Sequence, residues 1–205
     1  MRKICLLFLL VAMTVNAQTP LSSVEASKFR TLVKSASEKT KTITSDFTQY
    51  QHIEFMSNDI ESSGRLAFKS PAMVRWEYVL PDPYIIVFKD EKLTTVQNGK
   101  KSSMDMGSNP VFKQLNQLIT ASITGDMFDD NAFEISYFRE TGGYEAHLKP
   151  KDDGFAEFIA NIQINFSSNG EVQEVKMSES SEDYTRIVFD NRKTNVPLNL
   201  ELFEH

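Results

Sequence analysis

The chain has 205 residues, with 28 acidic against 22 basic side chains and a net charge of −6. That acidic balance argues against a nucleic-acid partner, because phosphate binding needs a basic surface. A hydrophobic content of 40% with 15 Phe is enough for one substantial core, and the length suits a single domain.

Met1 to Ala17 reads as a secretory signal that is cleaved. Arg2 and Lys3 form its basic start, Ile4 to Met13 its apolar core, and Val15-Asn16-Ala17 fits the small-residue cleavage rule. The core is too short to span a membrane. The mature chain is therefore expected to begin at Gln18, to form one domain over 18–205, and to reside in the periplasm. Loss of Arg2 and Lys3 leaves 20 basic against 28 acidic residues, a net charge of −8. Cys5 departs with the signal, so the mature chain has no disulfide, no thiol nucleophile and no cysteine metal ligand.

A helix is expected first. Ser22-x-x-Glu25 is a capping-box pattern, and Phe29, Leu32, Val33 and Ala36 recur at helical spacing. Lys28, Arg30, Lys34 and Lys39 read as its solvated face. Strands follow over Ile43 to Phe55, Asp59 to Lys69, Met73 to Leu80 and Tyr84 to Phe88. The last is nearly all apolar, which implies cover on both faces. Lys89-Asp90-Glu91-Lys92 is a turn, Leu93 to Gln97 a strand, Asn98-Gly99 a hairpin turn and Lys101 to Met106 its return.

The pattern then changes. Ser108 or Asn109 suits a cap and Pro110 the first helical position. Val111, Phe112, Leu115, Leu118 and Ile119 predict a short amphipathic helix among the strands, with Gly125 as its stop. Strands resume over Phe133 to Arg139, Tyr144 to Lys149, Phe158 to Phe166, Glu171 to Ser178 and Asp183 to Asp190, with an extended tail through Leu200. The sum is a large, mostly antiparallel sheet with a few helices. A twisted sheet of many strands curls, and helices on its inner face would enclose an apolar space.

Around the first proline turn the alternation is clearest. Leu66 and Phe68, then Val74, Trp76 and Tyr78, form one bulky apolar stripe, while Arg65, Lys69, Arg75 and Glu77 lie on the other face, read as wet. Chemistry is harder to find. His52, His147 and His205 lack metal-ligand spacing and read as solvent-facing. There is no Gly-x-Ser-x-Gly elbow. Asp129-Asp130, Asp152-Asp153 and Glu179 to Asp183 fall at turns and read as solvated loops. No catalytic residue, metal site or cofactor is expected. Met73, Met104, Met106, Met127 and Met177 suit core filling, or a wall that adapts to varied apolar ligands.

Ordered pieces along the mature chain resemble the LolA family of periplasmic outer-membrane lipoprotein carriers. They are Phe47-Thr48-Gln49, Gly64-x-Leu66-x-Phe68-Lys69-x-Pro71, Arg75-Trp76-Glu77-Tyr78 and Pro81-Asp82, then Asn165-Phe166, Asn169-Gly170 and Thr185-Arg186-Ile187-x-Phe189-x-Asn191. The resemblance implies an α+β, mostly β fold: an unclosed antiparallel β-barrel, or curled sheet, with a helical lid over an apolar cavity. It implies a carrier that hides the acyl chains of lipoproteins between inner and outer membranes, loaded by an ATP-driven lipoprotein-releasing complex; a monomer without enzymatic activity is expected. The outer-membrane acceptor stays open. The expected cavity residues are Phe47, Leu66, Phe68, Trp76 and Tyr78 from strands, with Phe112, Leu115 and Ile119 from the lid. Family members often carry a basic residue just before the proline of the Lys-x-Pro segment, where it helps hold the lid closed; here Ser70 occupies that lid-latch position. The alternatives are a related module for another envelope lipid, such as a glycolipid or pigment, a sensor of misplaced lipoproteins, and an envelope enzyme.

Overall fold

The computed structural model describes residues 18–105 and 127–204. Their strands form a single antiparallel sheet in the order β1-β8-β9-β10-β11-β12-β2-β3-β4-β5-β6-β7. The strands are β1 (Thr19–Pro20), β2 (Thr42–His52), β3 (Ile60–Lys69), β4 (Met73–Leu80), β5 (Tyr84–Lys89), β6 (Lys92–Gln97), β7 (Lys100–Asp105), β8 (Phe133–Glu140), β9 (Gly143–Pro150), β10 (Asn161–Ser167), β11 (Val172–Ser178) and β12 (Tyr184–Thr194). The sheet is unclosed: β1 and β7 are its two edges. Its halves are joined at the centre by β12 against β2, from Tyr184↔His52 to Thr194↔Ile43. Between β7 and β8 the chain crosses from one edge region to the other. The helix expected from Pro110, with Phe112, Leu115 and Ile119, falls in that connection and lies outside the described residues.

Helix α1 (Ser23–Glu38) covers the inner face of the β8–β11 half. It begins as its sequence dictates. Ser22 accepts from the Glu25 amide, and the Glu25 carboxylate accepts from the Ser22 amide, which satisfies two of the free N–H groups of the first turn. Phe29 and Val33 are the buried residues of the helix. Phe29 stacks on Tyr144 at 4.5 Å and meets Phe166 edge-on at 5.1 Å. Ala146, Leu148, Ile162 and Ile164 complete this core. Arg30 is not simply solvated. It binds Asp130 Oδ2 at 2.6 Å and the Phe128 carbonyl at 2.7 Å, tying the helix to the segment before β8. Asn195 fixes the other end of the helix, accepting from the Lys41 amide and donating to the Lys39 carbonyl.

The outer face is not uniformly wet, which corrects the sequence reading. The tail folds back over β3–β5 and ends in a 3₁₀ turn (Leu200–Phe203). Phe203 is buried against Ala67 and Val87, with Ile85, Leu198 and Leu202 beside it. Arg75 is buried too, donating to the Leu202 carbonyl and to Glu77. Lys69 donates to the Leu198 carbonyl at 3.1 Å. This is why β5 is apolar on both faces: Ile86 and Phe88 face in, while Ile85 and Val87 meet the tail.

A four-residue helix, α2 (Asp153–Ala156), was not legible as such. Asp152 caps it by accepting from the Phe155 amide at 2.8 Å, and Phe155 drops into the core. The strand expected from Phe158 therefore starts only at Asn161. The two-residue turns behave as read. Asn98 and Gly99 both take positive φ, as do Asp90 and Glu91, the geometry a tight hairpin needs.

Candidate functional site

The inner face can be followed strand by strand. Phe47 lies opposite Gly64, and Gly64 opposite Tyr78. Leu66 lies opposite Trp76, and Trp76 opposite Ile86. On the other side Phe189 pairs with Phe47, Ile187 with Gln49, Val175 with Ile187 and Ile164 with Val175. Period-2 alternation keeps all of these on one face, and the curl of the sheet turns that face inward.

Two cores, one on each side of the curl, do not fill the space between them. A cavity of about 270 Å³ remains. One wall is Leu66, Trp76, Tyr78, Ile86 and Phe88 with Ile43 and Gln49. The other is Ile162, Ile164, Val172, Val175, Met177, Ile187 and Phe189, with Met127 and Arg192. The lining is overwhelmingly aliphatic and aromatic, the character of a small-molecule pocket with a few placed polar groups.

Leu66, Trp76 and Tyr78 thus stand at the cavity wall. Phe47 and Phe68 share their face but are packed behind it. Phe47 is 2% exposed and sits 4.4 Å from Trp76 and 5.2 Å from Tyr78, ring to ring. Phe68 is equally buried, among Ile43, Val74, Phe88 and Leu93. Phe112, Leu115 and Ile119 lie outside the described residues. Ser70 follows the last residue of β3, where its amide donates to the Lys41 carbonyl at 2.9 Å.

The β10–β12 wall went unread as a site. Its alternation is plain, yet alternation does not tell a residue that meets a void from one that meets a neighbour. Polar groups in the wall are few. The Tyr78 hydroxyl donates to Gln49 Oε1 at 2.7 Å, and burial pushes its phenol well above the usual range. The Trp76 indole N–H is buried with no hydrogen-bond acceptor. His52 and His147 stay out of the cavity, paired with Asp59 and Glu145 on the outer face. No group of His, Cys, Asp or Glu arranged to hold a metal is present among the described residues.

A single curled, unclosed sheet around an apolar cavity is the architecture of a lipid-binding carrier fold. The sequence profile of the outer membrane lipoprotein carrier protein LolA matches residues 38–205, and the chain belongs to that family. It is 26% identical over 148 residues to the outer-membrane lipoprotein carrier protein of Francisella philomiragia, covering 72% of this chain and 69% of that one. Against the protein of the same description from Methylococcus capsulatus it is 26% identical over 182 residues, 84% of this chain and 80% of the relative. Among solved structures, one chain of the Pseudomonas aeruginosa MucA/MucB complex superposes with a TM-score of 0.51 at 12% identity, covering 88% of this chain and 61% of that one. The Mycobacterium tuberculosis lipoprotein LppX gives a TM-score of 0.50 at 8% identity, covering 87% and 99%. These two establish likeness of fold alone.

Proposed function

We propose that this protein is a periplasmic carrier. It takes acylated lipoproteins from an ATP-driven releasing complex in the inner membrane, shields their acyl chains in the cavity and delivers them to the outer membrane. The observation that carries the reading is the apolar cavity inside an unclosed sheet, in a chain of the LolA family. The leader read at Met1 to Ala17 supports the location. Leu66, Trp76 and Tyr78 are proposed to meet the acyl chains, with Phe47 and Phe68 backing them. Phe112, Leu115 and Ile119 are proposed as further lining.

The physical need is simple. Burying acyl carbon is worth about 0.8 kcal/mol per CH₂, so a chain of roughly sixteen carbons leaves a membrane at a cost on the order of 12 kcal/mol. A carrier must offer a comparable apolar surface, or be loaded by an energy source. The test is depletion of this protein in its host, followed by fractionation of the envelope. Outer-membrane lipoproteins should accumulate in the inner membrane. Normal sorting after depletion, with another lipid recovered from the purified protein, would instead assign the cavity to that lipid.

A further inference from the structure

One member of the cavity wall does not belong to an apolar lining. Arg192 is the only charged side chain among the described wall residues. Its place there depends on a bulge. Asp190 pairs with Asp46 but Lys193 pairs with Thr44, so β12 carries one more residue than β2 across this stretch. In unbroken register Arg192 would lie opposite Thr44, a position that alternates with the inward Ile43 and Ser45 and so faces outward. The extra residue, accommodated by Asn191 at a φ of 51°, shifts the parity by one and brings Arg192 to the cavity. Re-aiming a side chain is a recurrent use of bulges.

The inward guanidinium is poorly served. Its Nε is buried without a hydrogen bond. Its ion-pair partner, Glu171 Oε1, lies 3.5 Å from Nε, too long for a good hydrogen bond, on a side chain 41% exposed. Desolvation lowers the Arg192 pKa, with Glu171 acting in the opposite sense. A guanidinium stays charged in proteins, and a partly buried charge is stabilised by an anion with which it hydrogen-bonds. The other lining residues of β12 and the first of β11, Ile187, Phe189 and Val172, suit hydrocarbon. The site therefore joins an apolar trough to one cationic end.

We propose that Arg192 is a ligand anchor that gives the cavity a preference for acyl chains ending in an anionic oxygen, a carboxylate or a phosphate, over neutral chains of equal length. This rests on the lipid-binding reading above and narrows its ligand class. Glu171 competes with the ligand for the same guanidinium.

The test uses delipidated mature protein and equilibrium dialysis with three probes: dodecanoate, dodecyl phosphate and dodecanol. Wild type should bind at least one anionic probe about tenfold more tightly than dodecanol, the range of a charge-assisted hydrogen bond; which anion binds better tells carboxylate from phosphate. Arg192→Gln should lose that preference, the ratio of anionic-probe to dodecanol affinity falling to about one. Arg192→Lys should keep part of it. Glu171→Gln, a change on a half-exposed side chain, should tighten the anionic probes several-fold and leave dodecanol alone. It decides the matter if Arg192→Gln fails to fold. Equal binding of all three probes by wild type, or an undiminished preference in folded Arg192→Gln, overturns the proposal. Failure of wild type to bind any probe overturns the lipid-binding reading and the anchor with it.

Discussion

At the scale of single residues, the sharpest constraint is Gly64. A Cβ there would come within 1.9 Å of the Glu77 carbonyl oxygen and 2.7 Å of the Phe47 ring. The β3–β4 register shifts between Ser63 and Gly64, and the two backbones approach closely at this point. Phe47 lies over the bare glycine and so reaches Trp76 and Tyr78. Gly64→Ala is expected to destabilise the protein by about 1–3 kcal/mol, as overpacking does, and to displace Phe47. Urea unfolding measures the first and the intrinsic fluorescence of Trp76 reports the second; an unchanged midpoint would show that the strands separate freely here. In the sequence Gly64 entered only as the first residue of the Gly64-x-Leu66-x-Phe68 piece; its reason lay in a neighbouring strand and was not readable there. The same holds for Phe47 and Phe68. Alternation gave Phe68 the inward face and the resemblance brought in Phe47, yet whether an inward ring meets a void or another ring is decided by partners far along the chain. Arg192 was hidden for a different reason: a one-residue bulge inverts the parity on which such readings depend.

At the scale of elements, the signals that worked were local. The capping box of α1 is complete within four residues, and its chemistry predicts a pH response. Hydrogen bonds from the Ser22 hydroxyl and amide, then from Arg139, hold the Glu25 carboxyl down from its usual 4.5 to about 2. A depressed carboxylate contributes stability that is fully present above pH 4.5 and is lost as pH falls from 4.5 toward 2. Ser22→Ala should remove about 1 kcal/mol at neutral pH and move the Glu25 titration, followed by NMR, back up toward 4.5. A midpoint left near 2 would assign the shift to the backbone amide of residue 22 and to Arg139 instead. The elements that escaped the sequence reading are those without a period of their own. β1 has two residues, α2 four and the terminal 3₁₀ turn four, too few for alternation or helical spacing to register. The last matters most. Phe203 is 2% exposed and seals the outer face of β3–β5. Phe203→Ala should cost about 3 kcal/mol in thermal or urea unfolding. A loss within about 0.5 kcal/mol, the range of ordinary surface changes, would mean that the tail rests on the sheet without supporting it.

At the scale of the whole molecule, the sheet order determines the cavity. Joining β12 to β2 places a wall built late in the chain beside one built early, and the two inner faces meet across a gap that their side chains do not fill. The curl and the mostly β architecture follow from strand number and from the turns between strands, which is why they could be read from the sequence. The gap could not, because it depends on the volumes of residues brought together from both halves. Its volume is also what can be changed most cleanly. Val175 lies on β11 opposite Ile187, at the wall and only partly buried. A tryptophan there would project into the 270 Å³ while placing an aromatic residue in a strand, where such residues are favoured. Cores that are already full lose stability when enlarged; an empty apolar space gains the dispersion contacts it lacked. Val175→Trp is therefore expected to leave the unfolding midpoint unchanged or raised while lowering the capacity for acyl ligand several-fold, measured by titrating delipidated protein with dodecanol. If the variant loses stability as an overpacked core would, and binds as before, then the space beside Val175 is closed in solution and the ligand enters elsewhere.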